Sequence, residues 1–86
     1  MRVHAVEGVL IQRVGAEAIL LHPTGTQALT LSATALAVWT GCAEVADVED
    51  VLTDLGNQYG IEPESIRDDV MRTVEQLTEL GFIDIA

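Results

Sequence analysis

The sequence is poor in aromatic residues, with one tryptophan, one tyrosine and one phenylalanine in 86 positions. Since 49% of the residues are nevertheless hydrophobic, aliphatic side chains must fill most of the core. A chain of this length buries only about 60–65% of the surface that its unfolded form exposes, which suits one small core. We therefore expect a single domain over residues 1–86.

Basic residues are also scarce. Four basic residues stand against 14 acidic ones, and the formal net charge is −10. Nucleic-acid backbones and anionic membrane surfaces are bound by Lys and Arg, which displace counterions from the phosphates. The charge therefore predicts no nucleic-acid partner and no membrane partner, and it favours a partner that carries basic residues.

Cysteine is limited to Cys42, which cannot form a disulfide within the chain. Small secreted domains usually depend on such bridges. The N-terminus has no apolar signal-peptide core, and the apolar runs are too short to span a bilayer. These features predict a cytoplasmic protein.

The residues that usually carry chemistry are few and scattered. His4 lies in an N-terminus that we expect to be frayed, His22 lies at a predicted strand end, and Cys42 follows Gly41 at a predicted helix end. Zinc sites need three or four closely spaced ligands, and no glycine-rich phosphate loop is present. We predict no catalytic residue, no metal site, no cofactor and no enzymatic activity.

The first third of the chain is typical of a β-meander. Gly8–Val14 and Glu17–His22 are short, apolar and rich in β-branched or aliphatic residues, and Gly15 separates them. Pro23–Thr26 has the composition of a turn. Gln27–Leu31 alternates apolar and small or polar residues, as a half-buried strand does. Three antiparallel strands are therefore predicted.

The remaining sequence predicts three helices. Ser32 is a candidate cap for a helix that runs to about Thr40. Asp47 is a candidate cap for a helix that ends near Gly56, with residues 57–60 extending or closing it. Pro63 suits the first turn of a longer third helix, which Gly81 ends. Residues 82–85 are either a short strand or an apolar tail. The predicted fold class is α+β, a three-stranded antiparallel meander followed by a three-helix bundle that resembles a winged helix-turn-helix.

A three-stranded meander leaves two unpaired edges, and an unpaired edge is a template for another strand. The third predicted strand forms one such edge, and its middle carries no lysine or proline to block pairing. A groove between a sheet edge and a helix can bind an extended peptide through main-chain hydrogen bonds and side-chain pockets. The predicted edge residues are Gln27, Ala28, Leu29, Thr30 and Leu31.

The third predicted helix supplies the other wall of this groove. Its more apolar flank is the one we expect to face the peptide, with Met71 as an adaptable contact and Arg67 as a partner for an acidic peptide residue. An alternative reading is that Met71 and Val74 only widen the core stripe. The predicted helix contacts are Arg67, Val70, Met71, Val74 and Thr78.

The order and spacing of several segments resemble the pyrroloquinoline quinone biosynthesis protein D family. The resemblance covers nearly the whole chain and is carried by residues 18–25, 29–35, 38–39, Val48, Val51, Leu55, 59–61, 69–70, Leu77 and 80–83. It implies a domain without catalytic activity that recognises the leader of a ribosomally made, post-translationally modified peptide. The leader would add as a strand between strand three and helix three, and the domain would present it to a maturation enzyme.

Several assignments stay open at the level of the sequence. A lasso peptide pathway, in which the enzyme is a leader protease, ranks slightly ahead of a peptide chaperone for the quinone cofactor or another radical-enzyme pathway. A winged-helix nucleic-acid-binding regulator fits the topology, although its charge has the wrong sign. A homodimer or adaptor that uses its free strand edge on a second copy is a further alternative.

Overall fold

The computed structural model describes residues 1–44 and 47–85, and within them it has an α+β fold of five strands and three helices. The elements, in chain order, are β1 (Val3–Ala5), β2 (Leu10–Val14), β3 (Glu17–Leu21), β4 (Ala28–Leu31), α1 (Ala33–Glu44), α2 (Val48–Tyr59), α3 (Pro63–Glu79) and β5 (Ile83–Ile85). The predicted class is confirmed, and the third predicted strand corresponds to β4.

The larger sheet is the predicted antiparallel meander, with strand order β2-β3-β4. Ala18 of β3 lies opposite Arg13 of β2 and Leu31 of β4. This register places Ala18, Leu20 and Leu31 on the face that packs against α1, where each is at most 1% exposed. The sheet therefore has one buried face, and β2 and β4 are its two edges.

The chain ends form a second, two-stranded sheet. β1 pairs with β5 in antiparallel register, with Val3 opposite Ile85 and Ala5 opposite Ile83. The expectation of a frayed N-terminus around His4 was wrong, because this segment is hydrogen-bonded to the other end of the chain. Val3 is buried at 1% exposure, and its side chain anchors the strand on the core.

All three helices begin where the sequence predicts. The Ser32 hydroxyl accepts the Ala35 N–H at 3.2 Å, and an Asp47 carboxylate oxygen accepts the Glu49 N–H at 2.9 Å. Pro63 lies in the first turn of α3, and Gly60 ends α2 in the left-handed conformation, φ +67°. The hydrogen bonds of Ser32, Asp47 and Gly60 satisfy N–H and carbonyl groups that would otherwise lack helical partners.

The predicted end of the first helix at Thr40 was wrong, because α1 continues to Glu44. Gly41 lies inside the helix rather than at a turn. A Cβ at this position would lie 2.8 Å from Cγ1 of Val51, so glycine allows α1 and α2 to approach closely. Gly41 therefore marks a contact between two helices, and it does not interrupt α1.

The core lies between the meander and the three helices, with α1 at its centre. It includes the single tryptophan of the chain, Trp39, at 4% exposure. The buried hydrophobic residues are Val3, Ala18, Leu20, Leu31, Leu36, Val38, Trp39, Cys42, Val48, Val51, Leu52, Leu55, Val70, Val74, Leu77, Phe82 and Ile83. Aliphatic side chains supply nearly all of this packing, as the composition predicts.

No helix in residues 1–44 or 47–85 has the length and apolar character needed to cross a membrane.

Candidate functional site: an open strand edge beside helix α3

Among residues 1–44 and 47–85, no strand pairs with the outer edge of β4. His22 N–H donates to the Gln27 carbonyl at 2.9 Å, which makes this facing pair a hydrogen-bonded one. Bonded and non-bonded pairs alternate along an antiparallel ladder. The main-chain groups of Leu29 and Leu31 therefore point toward β3, and those of Ala28 and Thr30 point away from the sheet. Two N–H and two carbonyl groups are thus available to an added strand.

His22 holds the start of β4 beside the end of α3. Its Nε2 donates to the Gly81 carbonyl at 3.1 Å, and its Nδ1 accepts the Thr24 N–H at 3.2 Å. The imidazole also meets Phe82 edge to face, with 5.7 Å between ring centroids. This histidine, which the sequence marked only as a strand end, fixes the distance between the β3–β4 turn and the helix.

A cavity of about 580 Å³ has Ser32, the residue that follows β4, in its lining. We call it the α3 cavity. It is framed by the start of α1, the end of α2 and one side of α3, and most of its floor is aliphatic. Its lining residues are Ser32, Thr34, Ala35, Val38, Leu55, Tyr59, Ile61, Ile66, Asp69, Val70, Arg72, Thr73 and Gln76.

The polar groups of the α3 cavity lie on its rim. Arg72 donates to the Asp69 carboxylate at 3.2 Å, and both side chains are more than 70% exposed. Such a solvated pair is weak and exchanges partners readily. Thr73 donates its hydroxyl to the Asp69 main-chain carbonyl at 3.0 Å, so its methyl group is the part available to a ligand. The arrangement suits an extended chain that places apolar side chains in the cavity.

The structure brings together one part of the predicted site. Gln27 and β4 form the open edge, and Val70 lines the α3 cavity, which Ser32 at the end of β4 also lines. Leu31 is buried at 1% exposure, so its side chain belongs to the core. Contact of this edge with a peptide stays a prediction.

The other predicted helix residues, Arg67, Met71, Val74 and Thr78, do not line the α3 cavity. Val74 is buried at 1% exposure, and Met71 packs against the core. The Thr78 hydroxyl donates to the Val74 carbonyl at 2.7 Å. These placements fit the alternative reading, in which Met71 and Val74 widen the core stripe. Their contact with a peptide also stays a prediction.

Arg67 joins two helices rather than facing the cavity. It donates to Glu49 of α2 at 2.7 Å and to Glu64 of its own helix at 2.6 Å. Hydrogen bonds from the guanidinium hold the pKa of both carboxyl groups below its usual range. The arginine expected to meet an acidic peptide residue is therefore already paired within the protein.

The sequence missed the cavity residues on the opposite flank of α3. Ile66, Thr73 and Gln76 lie on that flank, and Tyr59 and Ile61 complete the wall from the α2–α3 connection. The helical pattern identifies both flanks of the core stripe, but it does not say which flank meets β4. That choice depends on how α3 packs against α1 and α2, which no local signal records.

Comparison with known proteins supplies the family. A family model described as coenzyme PQQ synthesis protein D, PqqD, matches residues 17–83. The chain belongs to the PqqD family. A solved structure described as TbiB1 in complex with the TbiA(beta) leader peptide has the same fold as this PqqD-family chain, with a TM-score of 0.80 and 16% sequence identity over 94% of each chain. No curated protein sequence matches the chain.

The cysteine of this PqqD-family chain is part of the core. Cys42 is 1% exposed, and burial raises the pKa of its thiol to about 11. A nucleophilic cysteine needs the opposite shift, because the thiolate is the reactive form. Within the part of the chain that the structure describes, no three His, Cys, Asp or Glu side chains are grouped as metal ligands.

Proposed function

We propose that the chain binds the leader segment of a ribosomally synthesised precursor peptide as an added strand on β4, and presents it to a processing enzyme. The observation that carries this proposal is the open edge at Ala28 and Thr30, on a strand that is followed directly by Ser32 in the lining of the α3 cavity. Main-chain groups at the edge would supply affinity, and the cavity would select side chains. The leader complex of the structural neighbour, TbiB1, supports the same ligand class.

The binding surface that we propose differs in part from the one expected from the sequence. It keeps the edge of Gln27–Leu31 and Val70, and it adds Ile66, Thr73 and Gln76 from the cavity flank of α3. It leaves out Arg67, because Glu49 and Glu64 already occupy its guanidinium. The peptide that fits has an extended segment of about four residues, followed by apolar side chains that reach the cavity.

We assign no catalytic step to the chain, and we place its action in the cytoplasm, where precursor peptides are made. The processing enzyme that we favour is a lasso peptide leader protease or a similar maturase. The second candidate ligand is a precursor peptide of a quinone-cofactor pathway, because the matching family model is described as a coenzyme PQQ synthesis protein. We expect leader peptides of both classes to bind at the same strand edge. Measuring the affinity of the chain for each class of leader therefore decides between the two pathways.

The test is calorimetric titration of the full chain with synthetic leaders of precursors encoded beside its gene. Thr30→Pro removes an N–H that points away from the sheet, so it leaves the ladder to β3 intact. Thr73→Arg fills the cavity with a long charged side chain. We expect each change to weaken leader binding about tenfold or more, since each removes a main-chain bond or an apolar pocket.

Thr53→Arg is the matched control, because it makes the same substitution on the exposed side of α2, outside the cavity. It should leave the dissociation constant within about twofold. Circular dichroism checks that every variant keeps its fold. Unchanged affinity in both Thr30→Pro and Thr73→Arg would show that the site lies elsewhere.

A further inference from the structure

The sheet has a second edge, on β2, with which no strand of the described residues pairs. Its one charged residue, Arg13, lies on the face that packs against α1. The alternation that directs Ala28 and Thr30 outward on β4 directs the main-chain groups of Ile11 and Arg13 outward on β2. All five residues of β2 are exposed. Leu10 and Val14, on the sheet face away from α1, are 64% and 58% exposed. A strand this apolar and this open is a template for another chain.

A second cavity, of about 420 Å³, lies on the helix side of β2. We call it the wing cavity, since the β2–β3 hairpin forms a wing that overhangs it through Arg13. Its floor is α1, and its wall is α2. Its lining residues are Arg13, Ala33, Leu36, Ala37, Thr40, Gly41, Glu44, Val51, Asp54, Leu55 and Gln58. The β2 edge thus repeats the combination found at β4, an unpaired strand beside a cavity.

The two sites differ in charge. The wing cavity holds two carboxylates, Glu44 and Asp54, and the guanidinium of Arg13. Among the described residues Arg13 forms no ion pair with either carboxylate. Residues 44–79 carry eleven of the fourteen acidic residues and two of the four arginines. A segment that approaches β2 from the helix side therefore meets a negative potential, which favours Lys and Arg on that segment.

We propose that the β2 edge and the wing cavity are the docking surface for the processing enzyme, which would contribute an extended segment of alternating apolar and basic residues. This inference rests on the proposed function, since the enzyme is the one that receives the leader. Apolar residues of the segment cover Leu10 and Val14 on one face. Basic residues on the other face reach Glu44 and Asp54 in the wing cavity.

A second copy of the chain is a poorer occupant of the same edge. Two copies paired through β2 would bring together two bodies that each carry a net charge of −10, and self-repulsion opposes such association. A five-residue strand pair also buries much less than the roughly 1,000 Å² of a stable interface. The charge that disfavours a second copy favours a basic segment.

The placement of the two edges suits delivery of a bound peptide. β2 and β4 flank β3, so their axes are two strand spacings apart, about 10 Å. A leader on β4 and an enzyme segment on β2 would extend the same sheet at its opposite edges. The peptide that continues beyond the leader would then emerge close to the docked enzyme, and neither ligand would compete with the other.

The test measures two binding events on the same set of full-length variants. One probe is the synthetic leader, and the other is the purified protease or maturase encoded beside the gene of this chain, measured by biolayer interferometry. Ile11→Pro removes an outward N–H of β2 and keeps the bonds to β3. We expect Ile11→Pro and the double variant Glu44→Lys/Asp54→Lys to weaken enzyme binding about tenfold or more, with leader affinity within twofold of the wild type.

The matched control is Asp68→Lys/Glu75→Lys, which makes the same change in net charge on exposed positions of α3 outside both cavities. It should keep enzyme binding within about threefold. If the control lost as much enzyme affinity as Glu44→Lys/Asp54→Lys, the docking site would be overturned. Wild-type enzyme affinity in Ile11→Pro would have the same consequence. A dimer of the wild-type chain in light scattering that Ile11→Pro dissociates would also overturn it. Failure of the leader to bind the wild type, with enzyme binding intact, counts against the proposed function instead.

Discussion

Arg67 shows at the scale of one residue how pairing within a protein removes a side chain from a binding surface. Its guanidinium donates to carboxylates on two helices, at 2.7 Å to Glu49 and 2.6 Å to Glu64. Hydrogen bonds from the guanidinium lower the pKa values of both acids, and the opposing effect of burial does not cancel them. The ion pairs fasten the start of α3 to the start of α2, so Arg67 acts on the fold.

Arg67→Met should lower the melting temperature at pH 7 by no more than a few degrees, since exposed ion pairs contribute little. The folded-state pKa values of Glu49 and Glu64 are depressed. Their contribution is therefore present above the unfolded pKa, near 4.3, and is lost as the pH falls through the folded values. Thermal unfolding should show a difference from the wild type at pH 7 that disappears toward pH 2–3.

The same variant separates structural pairing from peptide contact. We expect Arg67→Met to bind leader with the wild-type dissociation constant within about twofold, because the side chain does not line the α3 cavity. A large loss of leader affinity in a folded Arg67→Met protein would restore the contact expected from the sequence. It would also count against the proposed peptide contacts with Ile66, Thr73 and Gln76 on the opposite flank of α3.

At the scale of elements, the junction of α2 and α3 supplies one wall of the α3 cavity. Gly56 lies inside α2, and a Cβ there would lie 2.8 Å from the Ile61 carbonyl oxygen and 2.9 Å from Cγ of Pro63. The Ile61 N–H donates to the Gly56 carbonyl at 2.9 Å. The close approach of this connection to the helix therefore depends on the missing side chain.

Gly56→Ala should lower the free energy of unfolding by about 1–3 kcal/mol, because the added methyl group overpacks a backbone contact. It should also weaken leader binding, since Ile61 lines the cavity. Chemical denaturation and calorimetry measure the two effects. Asn57→Ala, at the exposed neighbouring position of the same helix, should change stability by no more than about 0.5 kcal/mol. Equal stability of the two variants would contradict this account of the junction.

The elements were largely predictable from the sequence because their signals are local. Ser32, Asp47 and Pro63 mark helix starts through hydrogen bonds or ring geometry within one turn. The pairing of β1 with β5 was not predictable in this way, because it joins residues at opposite ends of the chain. The cavity flank of α3 was missed for the same reason. Which side of a helix faces a strand is decided by packing, and the more apolar flank proved to be the one that faces the core.

At the scale of the whole molecule, the helices and the meander sheet differ in charge and in unpaired strand edges. The acidic residues concentrate in α2 and α3, while the β2–β3 hairpin carries one arginine and one glutamate. The two unpaired edges lie on opposite sides of one small sheet. Leader on one edge and enzyme on the other would make the protein a bridge between a peptide and its catalyst. The acidic character follows from the composition alone. The docking surface that we propose on β2 could be recognised only from the three-dimensional structure.

Amide hydrogen exchange, followed by NMR with and without a saturating leader peptide, tests the central claim most directly. We expect the N–H groups of Ala28 and Thr30 to become protected when leader binds, because they point away from β3. Those of Leu29 and Leu31 are already bonded within the sheet and should change little. Protection at Ile11 and Arg13 instead, with Ala28 and Thr30 unchanged, would place the peptide on the wrong edge and contradict strand addition at β4.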